Sequence, residues 1–444
     1  MRRGHPGARR HRLHLGVRPA PLLQARQGAG GDVRRRGLPP RADRPPGRGL
    51  TRPVAAPAPP LDGIRVVDLT SYIAGSYAAM MLADLGADVV KVEALEGDNF
   101  RELPGFYGWN RGKRSLAANV KTPEGRAIVE RLVDRGDVFM ENMRPGVADR
   151  LGVGWARLRE INPRLVYCSV TGFGSTGPYV DRPAFDPLLQ ALSGLMVIQG
   201  FGGPPQYVRV AVTDYYTASL AAQAVLAALF VRERTGRGQR VETSLLHGAM
   251  ALNSGAMIDY EGKPTLARDN PTYRLYQAAD GEWLFLACGN QSFWVKLCKA
   301  LDLPGLADDP RFGSWLLRLD NRAELLPILE AKFRSKPRDE WLEILAAADI
   351  PAGRVQPLAS FFDDPAVRHH GMMREYDHAE AGRLRVMGQP LVFSDTATRD
   401  PGPPPTLGEH TDEVLAELGY DAAAIADLRA RSIVTSRVRP GPPR

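Results

Sequence analysis

Between His14 and His247 the chain has no histidine, so a Ser-His or Cys-His pair in that stretch would need its base imported from later sequence. Neither a G-x-S-x-G elbow nor an H-E-x-x-H helix occurs, which removes the hydrolase and zincin arrangements. Cysteine is scarce: Cys168, Cys288 and Cys298 form no C-x-x-C pair. That excludes a disulfide framework or zinc knuckle and fits a reducing cytoplasm. The first residues lack the apolar core of a signal peptide. Residues 1 to 60 also contain no serine, and their prolines and glycines would break the amphipathic helix of a transit peptide.

What that segment does contain is arginine. Residues 1 to 53 hold 14 Arg, no Lys, no Glu and only Asp32 and Asp43, a charge of +12. The remainder has 44 basic and 48 acidic residues, so the overall +8 belongs to the tail. Residues 1 to 60 are expected to be a disordered Arg/Pro-rich tail, with functional translation starting near Val54. A nucleic-acid-binding protein working through this tail is the non-enzymatic rival. With the tail read as dispensable, neither nucleic acid nor membrane is expected as a partner.

From Leu61 short apolar runs alternate with helical stretches. Ile64 to Leu69, Ala87 to Val92, Arg114 to Asn119, Asp137 to Asn142 and Arg164 to Ser169 read as strands. Helices are expected from Ser76 to Leu85, stopped by Gly86, and after Thr122-Pro-Glu-Gly, with Thr as cap and Pro at its first position. The pattern is βαβ and predicts an α/β fold, a Rossmann-like parallel sheet over residues 61–270. Residues 245–258 read as an apolar helix. A smaller α+β domain is expected over residues 271–392: a hairpin around Asp280-Gly281, then helices from Ser292 to Leu301 and from Asn321 to Ala348. Residues 393–444 are expected to return and pack on the large domain.

The centre of the chain is Val208 to Leu245, where a β-like run ends at Asp214 and seventeen uncharged residues follow, Tyr215 to Val231. That run contains six Ala together with Thr217, Ser219 and Gln223, and it is shorter than the ~20 residues of a membrane span. Apolar on all sides, it reads as a buried helix. Asp before a helix is a favoured N-cap; the rival reading is a carboxylate nucleophile held where its charge is stabilised. Gly172-Phe-Gly174-Ser-Thr-Gly177 matches a dinucleotide fingerprint, but Pro178 follows and no acidic residue stands about twenty positions on. It reads instead as a loop passing close to a ligand or another backbone. Lys91, Arg101, Arg111, Lys113, Arg114, Lys121, Arg144 and Arg150 recur at strand ends, where a phosphate-bearing ligand would suit them. His369 and His370 read as solvated surface.

These segments together resemble the family III CoA-transferases. The matching pieces are Leu61-Asp-Gly-Ile-Arg-Val-Val-Asp-Leu69, Leu85-Gly-Ala-Asp-Val-Val-Lys-Val-Glu93, Lys113-Arg-Ser115, Asn142-Met-Arg-Pro-Gly146, Asp149-Arg-Leu-Gly152, Gly172-Phe-Gly174, Phe185-Asp-Pro-Leu-Leu-Gln190, Thr235-Gly-Arg-Gly-Gln239 and Gly408-Glu-His-Thr411. The resemblance spans about residues 61 to 430 and implies transfer of CoA from an acyl-CoA to a small carboxylic acid, without a tightly bound cofactor or metal. It places the nucleophile on Asp214. Coenzyme A contacts fall on Ala74, Lys121, Asn142, Met143 and Arg150, with backbone at Ala118. Interlocked homodimers are implied as well. Formyl-CoA transferases carry His and Gln where this chain has Ser71 and Ile73, and a glycine-rich flap with no match here. A related racemase or epimerase activity is the enzymatic alternative. Racemases of this type use a His where Phe185 stands, and phenylalanine cannot exchange a proton. Backbone N–H groups near Gly289 or the 172–177 loop are candidates for an oxyanion site.

Overall fold

The structure is a computed structural model describing residues 58–262, 269–397 and 400–436. The basic tail, up to residue 57, lies outside the described residues.

Seven strands form the central sheet: β1 (Arg65–Leu69), β2 (Asp88–Glu93), β3 (Lys113–Ala118), β4 (Val138–Glu141), β5 (Val166–Thr171), β6 (Arg240–Ser244) and, in this sheet's numbering, β7 (Val434–Thr435). Their spatial order is β7-β3-β2-β1-β4-β5-β6. All neighbours run parallel except β7, which pairs antiparallel with β3 through Val434 opposite Ala118. The chain reverses direction across the sheet at β1, whose two neighbours are β2 and β4, so the switch point lies between β1 and β4.

Successive side chains on a strand point to opposite faces, and both faces here are apolar. Val66, Val89, Val138 and Cys168 pack beneath α1 (Ala74–Asp84) and the long helix Val212–Thr235. Val67, Val90, Phe139 and Tyr167 pack beneath α2 (Pro123–Asp134) and residues 414–434. Gly86 ends the α1 turn at φ +100°, a conformation that side chains with a Cβ resist. Thr122 caps α2, its Oγ accepting the Gly125 N–H at 3.0 Å.

Helices α3 (Asp186–Leu192), α4 (Val212–Thr235) and α5 (Leu245–Leu252) follow. The run from Val208 into Asp214 is not a strand; α4 begins at Val212 after bends at residues 209–210. Helix α4 is long and apolar enough by composition to cross a membrane, but it is not buried all round. Ala218, Ala221, Ala222, Val225 and Leu229 face the core, whereas Tyr216, Phe230 and Val231 are exposed. Small residues let α4 and α5 touch: a Cβ on Gly248 would lie 2.0 Å from Thr217 Oγ. Helix α5 stops at Leu252, shorter than the predicted 245–258.

A separate apolar core is assembled by residues 276–350 around Trp294, Phe312, Phe333 and Trp341. Its sheet contains the hairpin Tyr273–Gln277 with Trp283–Ala287, turning at Asp280-Gly281 as expected. The helical stretch predicted from Asn321 to Ala348 is two helices, Arg322–Phe333 and Arg338–Ala347, because Pro337 cannot continue the first.

Candidate active site

The loops at the carboxyl ends of β1 and β4 are tied together. Asn142 Oδ1 accepts the Ser71 N–H at 2.9 Å, and Asn142 Nδ2 donates to the Ser71 carbonyl at 2.7 Å. Next to this pin Tyr72 is held at φ +61°, a strained value for a non-glycine. Two cavities open on either side. One, about 430 Å³, is lined by Tyr72, Ala74, Asn142, Met143, Gly172 and Asp214 among others. The second, about 370 Å³, is lined by Ser71, Ala118, Lys121 and Met143 among others. Met143 is common to both.

Of the residues singled out in the sequence, Asp214, Ala74, Asn142 and Met143 are thus brought to one cavity and Lys121 and Ala118 to the next. Arg150 lines neither; it ends the short helix Val147–Arg150, where its side chain is exposed. Gly289 lines neither cavity, whereas Gly172 lines the first.

Asp214 does not cap its helix. The N-cap is Ala211, which offers no side-chain acceptor, and Asp214 is the third residue of α4. Capping comes from a neighbouring helix: buried Asp186 accepts the Thr213 N–H at 2.7 Å and the Asp214 N–H at 3.3 Å through Oδ2. Its other oxygen accepts Gln190 Nε2 at 2.5 Å. Because Asp186 meets those helix N–H groups, the Asp214 side chain is released from structural duty. Among the described residues no hydrogen bond or ion pair reaches its carboxylate. Burial, and then repulsion from Asp186, push its pKa up to about 7.

The basic cluster divides by geometry. Lys113 Nζ lies 2.8 Å from Asp68 with both side chains fully buried, and Lys91 is 3.0 Å from Asp98. Arg101 grips Glu93, Arg111 grips Asp84 and Arg114 grips Asp88, each through two nitrogens. These five are committed to structural ion pairs rather than held for a phosphate, because acidic side chains occupy the adjacent strands and α1. Burial pushes Lys113 down to about 8, with Lys91 also disfavouring its charge and Asp68 opposing both. Lys121 and Arg144 remain at the cavities and have no ion-pair partner among the described residues.

A family model described as CoA-transferase family III matches residues 61–411. The chain belongs to CoA-transferase family III. It is 36% identical over 394 residues to human succinyl-CoA:glutarate CoA-transferase, covering 84% of this chain and 90% of that protein. It is 38% identical over 388 residues to succinyl-CoA:mesaconate CoA-transferase of Haloarcula marismortui, covering 81% and 97%. Its fold superposes on the crystal structure of a CAIB/BAIF family protein from Brucella suis with a TM-score of 0.73 at 36% identity, covering 81% of this chain and 100% of that one. As a family III CoA-transferase it transfers CoA between acyl-CoA thioesters and carboxylic acids.

Sequence reasoning gave no role to Asp186, Gln190, Arg182 or Arg209. The available signal was the i, i+4 spacing of Asp186 and Gln190, which puts both on one helix face.

Proposed function

We propose that Asp214 carries the transfer as a covalent relay. The observation that supports it is a half-buried carboxylate, without a hydrogen-bond or ion-pair partner among the described residues, facing the cavity at the switch point, with another residue capping its helix. An Asp214 oxygen attacks the thioester carbonyl of the donor; the carbon–sulfur bond breaks, giving a mixed anhydride and CoA thiolate. Thiolate attacks the Asp214 carbonyl, expelling the donor acid and leaving an aspartyl-CoA thioester. The acceptor carboxylate attacks that thioester and releases thiolate, which takes the acceptor's acyl group from the second anhydride and frees Asp214. No net proton is exchanged. Anhydrides hydrolyse readily, so the apolar lining of Tyr72, Phe100, Val170 and Phe185 serves to limit water. The backbone around Gly172 is the candidate donor to the developing oxyanion.

Coenzyme A runs through the second cavity, with Lys121 on a phosphate and Ala118 and Met143 along the chain, and enters the first past Ala74 and Asn142. Among the described residues no histidine lines the Asp214 cavity, and Phe185 stands on its wall, which speaks against a two-base racemase. Exposed Leu188, Val197, Ile198, Phe201, Phe230 and Met257 support a homodimer that covers them. The three thiols are free and buried, in keeping with the cytoplasm.

Intact mass spectrometry after mixing with an acyl-CoA tests the relay. A CoA-mass adduct that hydroxylamine removes, present in wild type and missing from Asp214→Ala, is expected. An adduct that persists in Asp214→Ala defeats it.

A further inference from the structure

Among the described residues the buried carboxylates are Asp68, Asp84, Glu93, Glu141 and Asp186. The first three each face a base: Lys113, Arg111 and Arg101 in turn. Glu141 and Asp186 have no ion-pair partner among the described residues, although a buried charge left without one is costly. What the two share is the group they accept from. Asp186 takes the N–H groups of Thr213 and Asp214, and Glu141 Oε2 takes the Met143 N–H at 2.8 Å. Each therefore fixes the backbone of a residue that lines the Asp214 cavity.

Glu141 ends β4, paired with Leu69 of β1 on one side and Ser169 of β5 on the other. By alternation its side chain shares a sheet face with Phe139, away from α1 and α4, and it lines neither the Asp214 cavity nor the second one. It borders instead a third cavity of about 280 Å³, together with Tyr167, Ser169 and Arg240. Arg240 makes its ion pair with Glu242. Burial pushes the Glu141 pKa up, while hydrogen bonds from Ser169 and the Met143 N–H, then Arg240 and Tyr167, oppose the rise. Glu141 thus stays clear of the nucleophile and reaches the site only through Met143. Its neighbour Asn142 pins the Ser71 loop by two hydrogen bonds. Residues 141 to 143 thereby lock the exit of β4 to the exit of β1, where the cavities meet.

From this we infer that Glu141 is a positioning residue for the transfer: its carboxylate fixes Met143, which lines both cavities, and so aligns the coenzyme thioester with Asp214. The inference rests on the relay reading above. Met143 stands between the coenzyme path and the nucleophile, and an error of about 1 Å in such an alignment costs up to about 100-fold in rate.

The test follows the CoA-mass adduct in a single turnover with succinyl-CoA as donor, in full-length wild type, Glu141→Gln and Glu141→Met. Gln keeps an oxygen for the Met143 N–H, and Met fills a similar space without one. At saturating succinyl-CoA, Glu141→Met is expected to be about 10- to 100-fold slower than wild type and Glu141→Gln to stay within about threefold. Equal slowing of the two variants overturns the inference, because the acceptor oxygen would then not matter. So does a Glu141→Met that matches the wild-type rate at saturation, whatever its half-saturating concentration. Should Glu141→Met fail to fold, Ser169→Ala takes its place, since it loosens the carboxylate without removing it. That variant is expected to slow the step about threefold to tenfold, and an unchanged rate overturns the inference. A wild type that forms no CoA-mass adduct removes the relay, and this inference with it.

Discussion

Replacing Asp214 by Asn should inactivate the enzyme and make the folded protein more stable. The carboxylate sits in a poorly solvated cavity beside Asp186, and these two influences raise its pKa from 3.8 to about 7. At about 1.4 kcal/mol per unit the shift corresponds to at most about 4 kcal/mol of destabilisation by the charged form. Asp214 is half-buried, so screening by water reduces the expected gain to about 2 kcal/mol. The sign follows from linkage. A carboxyl whose folded pKa is raised does not disfavour folding below the unfolded value of 3.8. Between that value and about 7 the unfolded chain ionises first, and stability is lost as pH rises. The advantage of Asn over Asp is therefore absent near pH 3, grows up to about pH 7 and then levels off. Thermal denaturation of both proteins at several pH values reads this directly, as a Tm gain of roughly 2 to 3 °C at pH 8 for a chain of this size. Activity should fall by at least about 10³-fold. An Asn variant no more stable than wild type, or a gap independent of pH, would refute the reasoning.

Other expectations follow from the same geometry. The donor kcat/KM of wild type should fall on acidification with a midpoint of about 7, because only the carboxylate attacks. Asp186→Asn keeps one acceptor for the α4 N–H groups but removes the charge, so that midpoint should move down; a pH profile with an unmoved limb counts against Asp186 as a repulsive neighbour. Lys113→Met leaves Asp68 buried and unpaired and should cost about 3 to 5 kcal/mol by chemical denaturation, with Asp68→Leu recovering part of it. A loss below about 1 kcal/mol would show that the pair is not structural. Lys121→Ala should raise the KM for the acyl-CoA about tenfold at low salt, and less at high salt. An unchanged KM at low salt would remove Lys121 from the coenzyme path.

Much of the fold was legible because its signals are local. Alternating faces of Val66 and Val67, the Thr122 cap and the Asp280-Gly281 turn each depend on residues within a few positions of one another. The local readings that the structure overturned depended on distant partners. Asp214 resembled an N-cap because a helix begins beside it; the true cap, Asp186, is 28 positions earlier and reaches α4 only after folding. The basic cluster resembled a phosphate site because its partners, such as Asp68 for Lys113 and Asp84 for Arg111, lie on other elements. A hint was present: Asp68 and Lys91 follow the apolar pairs Val66-Val67 and Val89-Val90 inside strands, with Glu93 two residues on, and charges there must pair.

The antiparallel strand at the edge of the sheet has a consequence for synthesis. Ala118 of β3 pairs with Val434, more than three hundred residues later, and the Ser115 hydroxyl and carbonyl wait for Gly408 and His410. A ribosome adding about 5 to 20 residues per second leaves this hydrophobic edge without its partner for roughly 15 to 60 s. During that interval the nascent chain presents an open strand that any similar strand can pair with. Production in the cell should therefore depend on chaperone capacity and translation speed more than the stability of the finished molecule suggests.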